Sequence, residues 1–560
     1  MILYPFRYIW WLLSSLRRSI GRAPDYVIFV LEAPLPTLPD PPGPFWQRFI
    51  SRPRLSIKEL GERFDIIARD PRTKGVVLHL RSVPMPMATL QDLRELISRL
   101  RSAGKRVIAW APFYSTGSYY VACACDEILM MPMGVVRPLG LASTGVFLAE
   151  GLARVGIKAD FIQISPYKTA ADSLTKSKMS RELREQVSWL LDSNHKELVQ
   201  AIAESRHIDE HAAAKLVDES PYVDDASLER HVVDLLLPEE KLPDHLVGRG
   251  GHARIATWEQ ARRRLRMPRP TTGRGKYVAI MRIEGAIVDG RSERIPIKPP
   301  INLPLVGGDR AGDLTVVPLA RQVASDKRAA AAVLFVNSGG GSATASEAMR
   351  QALELIAKRK PLVIAMGAVA ASGGYLVSAP GQWIVARPGT LTGSIGVLNG
   401  KIVTGGLFSR LLVNRETVAF GDHITMEGDD DPFTDEERKI VQEQIDRIYE
   451  LFLEAVASSR KMTRDEVHPI AAGRVWTGSQ ALDRKLVDEL GGLDAAVRKA
   501  RSLAGLSAST PAREVKAPSK QVAPRAMPTA AALAGYVLES IGLLSRAPAL
   551  AVMEYFPPDV

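Results

Sequence analysis

The chain repeats itself. VIAW at residues 107–110 returns as VIAM at 363–366, 256 residues later. The same spacing pairs Gly117 with Gly373, Tyr119 with Tyr375, Pro132 with Pro388 and Gly140 with Gly396. Ser180 to Arg206 aligns with Thr434 to Arg460 at an offset of 254, and KLVDE occurs at 215–219 and again at 485–489. YVIFVLEA from Tyr26 is echoed by YVAIMRIEGA from Tyr277. Matches in this order indicate an internal duplication. Within the first copy, GVVLHLRS at 75–82 reads as a strand, Leu90, Leu93, Leu96, Ile97 and Leu100 mark one helix face, and RVIAW at 106–110 reads as the next strand. Such alternation predicts two α/β units, each a parallel sheet with helices outside. At 560 residues the chain is too long for one ordinary domain. The expected division is an N-terminal segment at 1–24, a first repeat at 25–236 and a charged linker at 237–276 with some helix around 257–265. A second repeat follows at 277–505, then an Ala/Pro-rich tail at 506–560. In the second repeat, Thr434 and Glu437 form a capping-box pattern that predicts a helix over about 435–460.

The copies are chemically unequal. In the second, PLVIAM runs as a buried strand into Ser372-Gly373-Gly374 and an apolar segment that can form a short helix. A serine at such a strand-to-helix turn can stand exposed, with free helix N–H groups beside it. The same pattern also serves as a plain small-residue turn. AAVLFVNSGGGSATASE, Ala331 to Glu347, is another strand, then Gly339-Gly340-Gly341, then a helix start. Two such turns on neighbouring strands can supply N–H groups, from Gly340 and Gly373, to one oxyanion. The first copy carries Thr116 opposite Ser372, and Ser82-Val83-Pro84-Met85 opposite the glycine turn. Proline offers no N–H there.

These stretches resemble the signal peptide peptidase A family of membrane-associated serine proteases, in its long, internally duplicated form. The family's NSPGGSVTASE is NSGGGSATASE here, its AASGGY is Ala370 to Tyr375, and its LTGSIGV is Leu391 to Val397. GRVWTGSQA at Gly473 to Ala481 and LVDELGGL at Leu486 to Leu493 also match. One departure is Gly339, where the family has proline. The resemblance implies tandem crotonase-like or Clp-protease-like units. It also implies a Ser–Lys serine endopeptidase, with Ser372 as nucleophile and Lys168, in YKTA where the family has YKSA, as general base from the first repeat. By the same resemblance Ser394 orients the lysine. Substrates would be residual signal peptides and other short apolar peptides. The family also implies a homotetramer at the bacterial inner membrane with a periplasmic catalytic domain. The same offset puts Ile424 opposite Lys168. Two other classes stay open: a crotonase-type acyl-CoA enzyme, which also needs paired N–H donors, and an inactive membrane scaffold of the same fold.

The formal charge of +11 is concentrated locally, in Arg7, Arg17, Arg18 and Arg22 and in Arg262, Arg263, Arg264, Arg266 and Arg269. With no nucleic-acid motif, a membrane surface is the favoured partner over nucleic acid. Within residues 1–22 the apolar run Tyr8 to Leu16 is bounded by Arg7 and Arg17-Arg18 and is too short to span, which takes about 20 apolar residues. Residues 1–22 read as an amphipathic helix lying in a membrane interface, or as one packed on the protein itself. A terminal helix is expected at about 530–545. Cys123 and Cys125 are too close for an unstrained disulfide and have no histidine at ligand spacing, so they read as packing residues. No metal or cofactor is indicated.

Overall fold

The computed structural model describes residues 3–40, 54–81, 84–164, 166–247, 251–269, 275–293, 309–517 and 550–552. They form two compact units, Met1–Ala142 with Asn194–Gly275, and Ser143–Ser193 with Lys276–Pro557. The units do not follow the repeat boundaries: residues 143–193, inside the first sequence repeat, pack in the unit of the second. The expected helix at about 530–545 lies outside the described residues.

The first unit begins with helix α1 (Leu3–Ile20) and strand β1 (Tyr26–Leu31). Strand β2 (Gly75–Leu80), helix α2 (Met87–Ser102), strand β3 (Arg106–Ser115), helix α3 (Thr116–Ala122) and strand β4 (Glu127–Arg137) follow. The four strands lie side by side in the order β4-β3-β2-β1, all parallel. Every residue of β2 is buried, as expected for a central parallel strand covered on both faces. The linker region contributes a helix, Leu242–Val247, and a strand, Ile255–Thr257, parallel to β1; around 257–265 its helix is short, Trp258–Ala261. Cys123 and Cys125 are free and buried in this unit's core.

In the second unit, strand β5 (Lys158–Gln163) and helix α4 (Arg181–Arg206), whose residues to Ser193 belong here, precede the main sheet. That sheet and its surroundings comprise β6 (Tyr277–Glu284), β7 (Ala286–Val288), β8 (Ala329–Ser338), β9 (Gly340–Ser342), helix α5 (Ala343–Ala357) and β10 (Leu362–Ala371). Helix α6 (Gly373–Leu376), β11 (Leu391–Gly393), β12 (Leu398–Val403), helix α7 (Asp435–Arg460), β13 (Val475–Thr477) and the tail strand β14 (Leu550–Val552) are among the elements that follow. β10, β8 and β6 are parallel neighbours in the same order as β3, β2 and β1. The duplication is therefore visible as topology as well as sequence. α7 starts at the reciprocal capping box of Thr434 and Glu437. It buries Val441, Ile445, Tyr449, Phe452, Leu453 and Val456 at helical spacing. A second sheet runs through β7, β9, β14, β12 and β5, and its β12–β5 pair is a six-residue antiparallel ladder from Leu398↔Gln163 to Val403↔Lys158. That ladder carries the segment containing Lys168 into the second unit.

Candidate active site

Ser372 stands between β10 and α6 with φ 55° and ψ −119°. A non-glycine residue there is strained by about 1–3 kcal/mol and has to be held by its surroundings. Its N–H donates to Gly393 O at 2.8 Å, which ties the turn to β11. The first unit makes the equivalent turn without strain. There Ser115 caps α3 in the extended region, its hydroxyl accepting from Ser118 N, and Thr116 lies inside the helix. Ser372 makes no such cap bond, so its hydroxyl is left for another partner.

The partner is Lys168. Its Nζ lies 2.7 Å from Ser372 Oγ, 3.0 Å from Ser394 O and 3.1 Å from Ser394 Oγ. Both side chains belong to the second unit. Lys168 is 1% exposed and Ser372 is fully buried. Burial alone pushes the Lys168 ammonium far below the ordinary lysine value, since taking a charge out of water with no compensating carboxylate disfavours it. Asp172, one turn on, accepts from Ser180 Oγ, and burial raises its own carboxyl. A neutral amine has two N–H groups and one lone pair. The two donors suit Ser394 O and Oγ, and the lone pair then faces the Ser372 hydroxyl. No histidine hydrogen-bonds either residue among the described residues. Ile424, opposite Lys168 in the repeat, is 64% exposed and takes no part.

The two glycine-bearing turns meet. A Cβ on Gly374 would come 2.4 Å from Ser338 O, so only a glycine lets α6 seat against the end of β8. This brings the first N–H groups of α6, starting at Gly373, near the Gly340 turn. Gly340 N–H donates to Ser338 Oγ at 3.1 Å, so it must turn from that bond to serve an oxyanion. Gly340 and Gly341 have positive φ whereas Gly339, in the family's proline position, does not. Beyond the expected residues, the turn Gly473–Arg474 borders both Ser394 and Lys168: Ser394 N donates to Arg474 O at 2.6 Å and Gly473 N to Ile395 O at 2.8 Å. The sequence marked this stretch as a motif but gave it no role.

The chain matches the model of peptidase family S49 over residues 99–244 and 354–507, more than half its length. The chain belongs to peptidase family S49. Membership carries a peptidase function, and the relatives that match most of the chain are named as proteases. The chloroplastic serine protease SPPA of Arabidopsis thaliana is 28% identical over 81% of this chain and 66% of its own. Protease 4 of Salmonella typhi is 32% identical over 79% of this chain and 72% of its own. The S49 member thus spans about two thirds of the length of these relatives. Among solved structures, a membrane-bound stomatin-specific protease matches 44% of the chain at 14% identity with a TM-score of 0.27. The family model's two matched segments lie mainly one in each sequence repeat, the first running on into the linker as far as residue 244.

Proposed function

We propose that this S49 peptidase is an endopeptidase using a Ser372–Lys168 dyad to cleave short apolar peptides, residual signal peptides among them. The observation that carries the reading is the 2.7 Å separation of Lys168 Nζ and Ser372 Oγ in a site whose burial disfavours the ammonium form. As Ser372 Oγ bonds to the scissile carbonyl carbon, its proton passes to the Lys168 lone pair and the carbonyl electrons move to oxygen. Gly373 N–H, with Gly340 N–H once turned from Ser338, stabilises that oxyanion. On collapse the C–N bond breaks and Lys168 gives its proton to the leaving amine. Water then attacks the acyl-enzyme and gives a proton to Lys168; the bond from the acyl carbon to Ser372 Oγ breaks, and Lys168 returns the proton to Ser372 Oγ. Ser394 holds the amine in line through its carbonyl and hydroxyl.

An extended substrate can add a strand beside β9. The chain's own β14 supports this mode, pairing antiparallel with Gly340–Ser342 and, at Leu550, with Leu398 of β12. Backbone pairing of this kind supplies affinity and leaves side-chain pockets to set preference. The expected preference is for small or apolar side chains, read out on a peptide library. Attachment to a membrane through α1 and assembly as a homotetramer belong to the same reading.

The decisive experiment combines a fluorophosphonate probe with peptide hydrolysis. Wild type labels at Ser372, and Ser372→Ala and Lys168→Ala each lose hydrolysis by at least about 10³-fold. Thr116→Ala, in the first unit, keeps it. Hydrolysis by Lys168→Ala at the wild-type rate rejects the dyad. Absence of labelling together with acyl-CoA turnover puts the chain in the other reaction class.

A further inference from the structure

The motif GRVWTG, Gly473 to Gly478, is left without a task by the dyad itself, yet its first two residues touch Lys168, Tyr167 and Ser394. A Cβ on Gly473 would stand 2.4 Å from Lys168 N and 2.6 Å from Lys168 Cα, and the residue has φ 81°. Its α-carbon therefore lies flat against the lysine's own backbone. Arg474 works in two directions. Its carbonyl accepts from Ser394 N at 2.6 Å, fixing the residue whose carbonyl and hydroxyl meet Lys168 Nζ. Its guanidinium lies 4.0 Å from the centre of the Tyr167 ring, over the residue immediately before Lys168. The turn is in turn clamped by α4: Val475 N donates to Gln186 Oε1 at 2.8 Å and Trp189 Nε1 donates to Val475 O at 2.9 Å. β13 then pairs antiparallel with β11, so the clamp is continuous with the strand that leads into Ser394.

We propose that Gly473 and Arg474 are positioning residues, a bracket that presses the lysine backbone from one side and fixes Ser394 and Tyr167 on the other, so that Lys168 Nζ stays on Ser372 Oγ. The proposal rests on the Ser–Lys reading of the site. Neither residue touches the reacting atoms. Arg474 acts on both ends of the lysine through one side chain and one carbonyl, and its guanidinium over an aromatic face is worth about 0.5–2 kcal/mol. The carbonyl contact survives substitution, and the ring contact does not. Among the described residues, the titratable groups facing this region from the packed elements include Arg474 itself, Glu185, which accepts from Tyr167 Oη at 3.0 Å, Asp172, bonded by Ser180, and Tyr449 of α7, whose Oη accepts from Ala472 N at 3.1 Å and which interacts with Arg474.

The test is a kinetic comparison of Arg474→Ala, Arg474→Lys and Gly473→Ala with wild type on one neutral peptide, with the pH profile of kcat/KM and thermal midpoints alongside. Displacing a catalytic base by about 1 Å costs on the order of 10²-fold. Arg474→Ala is expected to lower kcat by about tenfold to hundredfold with KM within about twofold. Its alkaline-rising limb moves to higher pH, because a loosened amine gains water, and Arg474→Lys recovers part of both changes. Gly473→Ala lowers kcat further. Arg474→Ala with wild-type kcat and an unmoved limb overturns the bracket, as does a fall in kcat that simply tracks the thermal midpoint and is not eased by lysine. Lys168→Ala measured beside them separates the two ideas: full activity there removes the dyad, whereas an inactive Lys168→Ala beside an unaffected Arg474→Ala removes only the bracket.

Discussion

At the scale of single residues, the decisive quantity is the protonation of Lys168. Unfolded, its amine titrates near the ordinary value of 10.5; folded, burial holds it well below. Between those two values the unfolded chain carries a proton that the folded chain lacks, so folding gains stability as pH rises through that window. Below the folded value both states are protonated, and the site contributes at its least favourable level. The slope in the window reaches about 1.4 kcal/mol per pH unit for one group. Other titrating groups contribute as well, so the measurement is a difference. The denaturant-unfolding free energy of wild type minus that of Lys168→Met is expected to climb with pH and level off near 10.5. Parallel curves for the two proteins would mean an ordinary, solvated lysine. Under the proposed dyad, activity should run the same way: kcat/KM is expected to rise along a single limb set by Lys168 deprotonation, and no histidine substitution should remove that limb.

Among elements, what the sequence discloses is what is local. α7 is legible because Thr434 and Glu437 cap it and its apolar residues recur at helical spacing. Thr434→Ala removes a hydroxyl that accepts from Glu437 N at 3.2 Å, and should cost about 1 kcal/mol of stability while leaving peptidase activity intact. The two glycine turns are legible as strand, small residues, helix. Their contact is not, because it depends on Gly374 meeting a carbonyl 36 residues earlier, at Ser338. Gly374→Ala should push α6 and Ser372 away from β8 and lower kcat by about 10²-fold, readable in single-turnover assays. Least legible is the placing of residues 143–193. The repeat assigns Lys168 to the first copy, but the backbone ladder between β5 and β12 enlists it in the second unit. Backbone pairing leaves little trace in side-chain pattern when the strands lie more than 200 residues apart. The resemblance pointed to YKTA, and no local feature distinguished Lys168 from Lys176 or Lys178.

For the molecule as a whole, β14 bears on activity and α1 on attachment. β14 lies on the strand edge that an incoming peptide would use, and a tethered competitor acts at an effective concentration on the order of millimolar. Ending the chain after Ala517 should therefore lower the apparent KM for a short peptide and leave kcat alone; an unchanged KM would mean that β14 does not compete. At the other end, no helix of the described residues is long and apolar enough to cross a membrane. α1 instead shows two faces. One is pinned within the first unit: Trp11 Nε1 donates to Met267 O at 3.0 Å, and Arg269 reaches Tyr8 Oη at 2.6 Å with its guanidinium over the Tyr8 ring. The other carries Ile9, Leu12, Leu13 and Leu16 at one-face helical spacing, with Trp10 beside them 69% exposed. Placing Trp10, Leu13 and Leu16 in a lipid interface gains roughly 1 kcal/mol each, about a hundredfold in partitioning together. Basic residues near an anionic surface add about 1 kcal/mol apiece at low salt, and salt screens that part. Replacing Trp10, Leu13 and Leu16 with serine should thus abolish sedimentation with phosphatidylglycerol-containing vesicles, whereas raising salt on wild type should weaken it without abolishing it. Because Trp11, Tyr8 and Arg269 are untouched, hydrolysis of a soluble peptide should stay at the wild-type rate. Vesicle binding that survives the triple substitution would place the anchor outside α1.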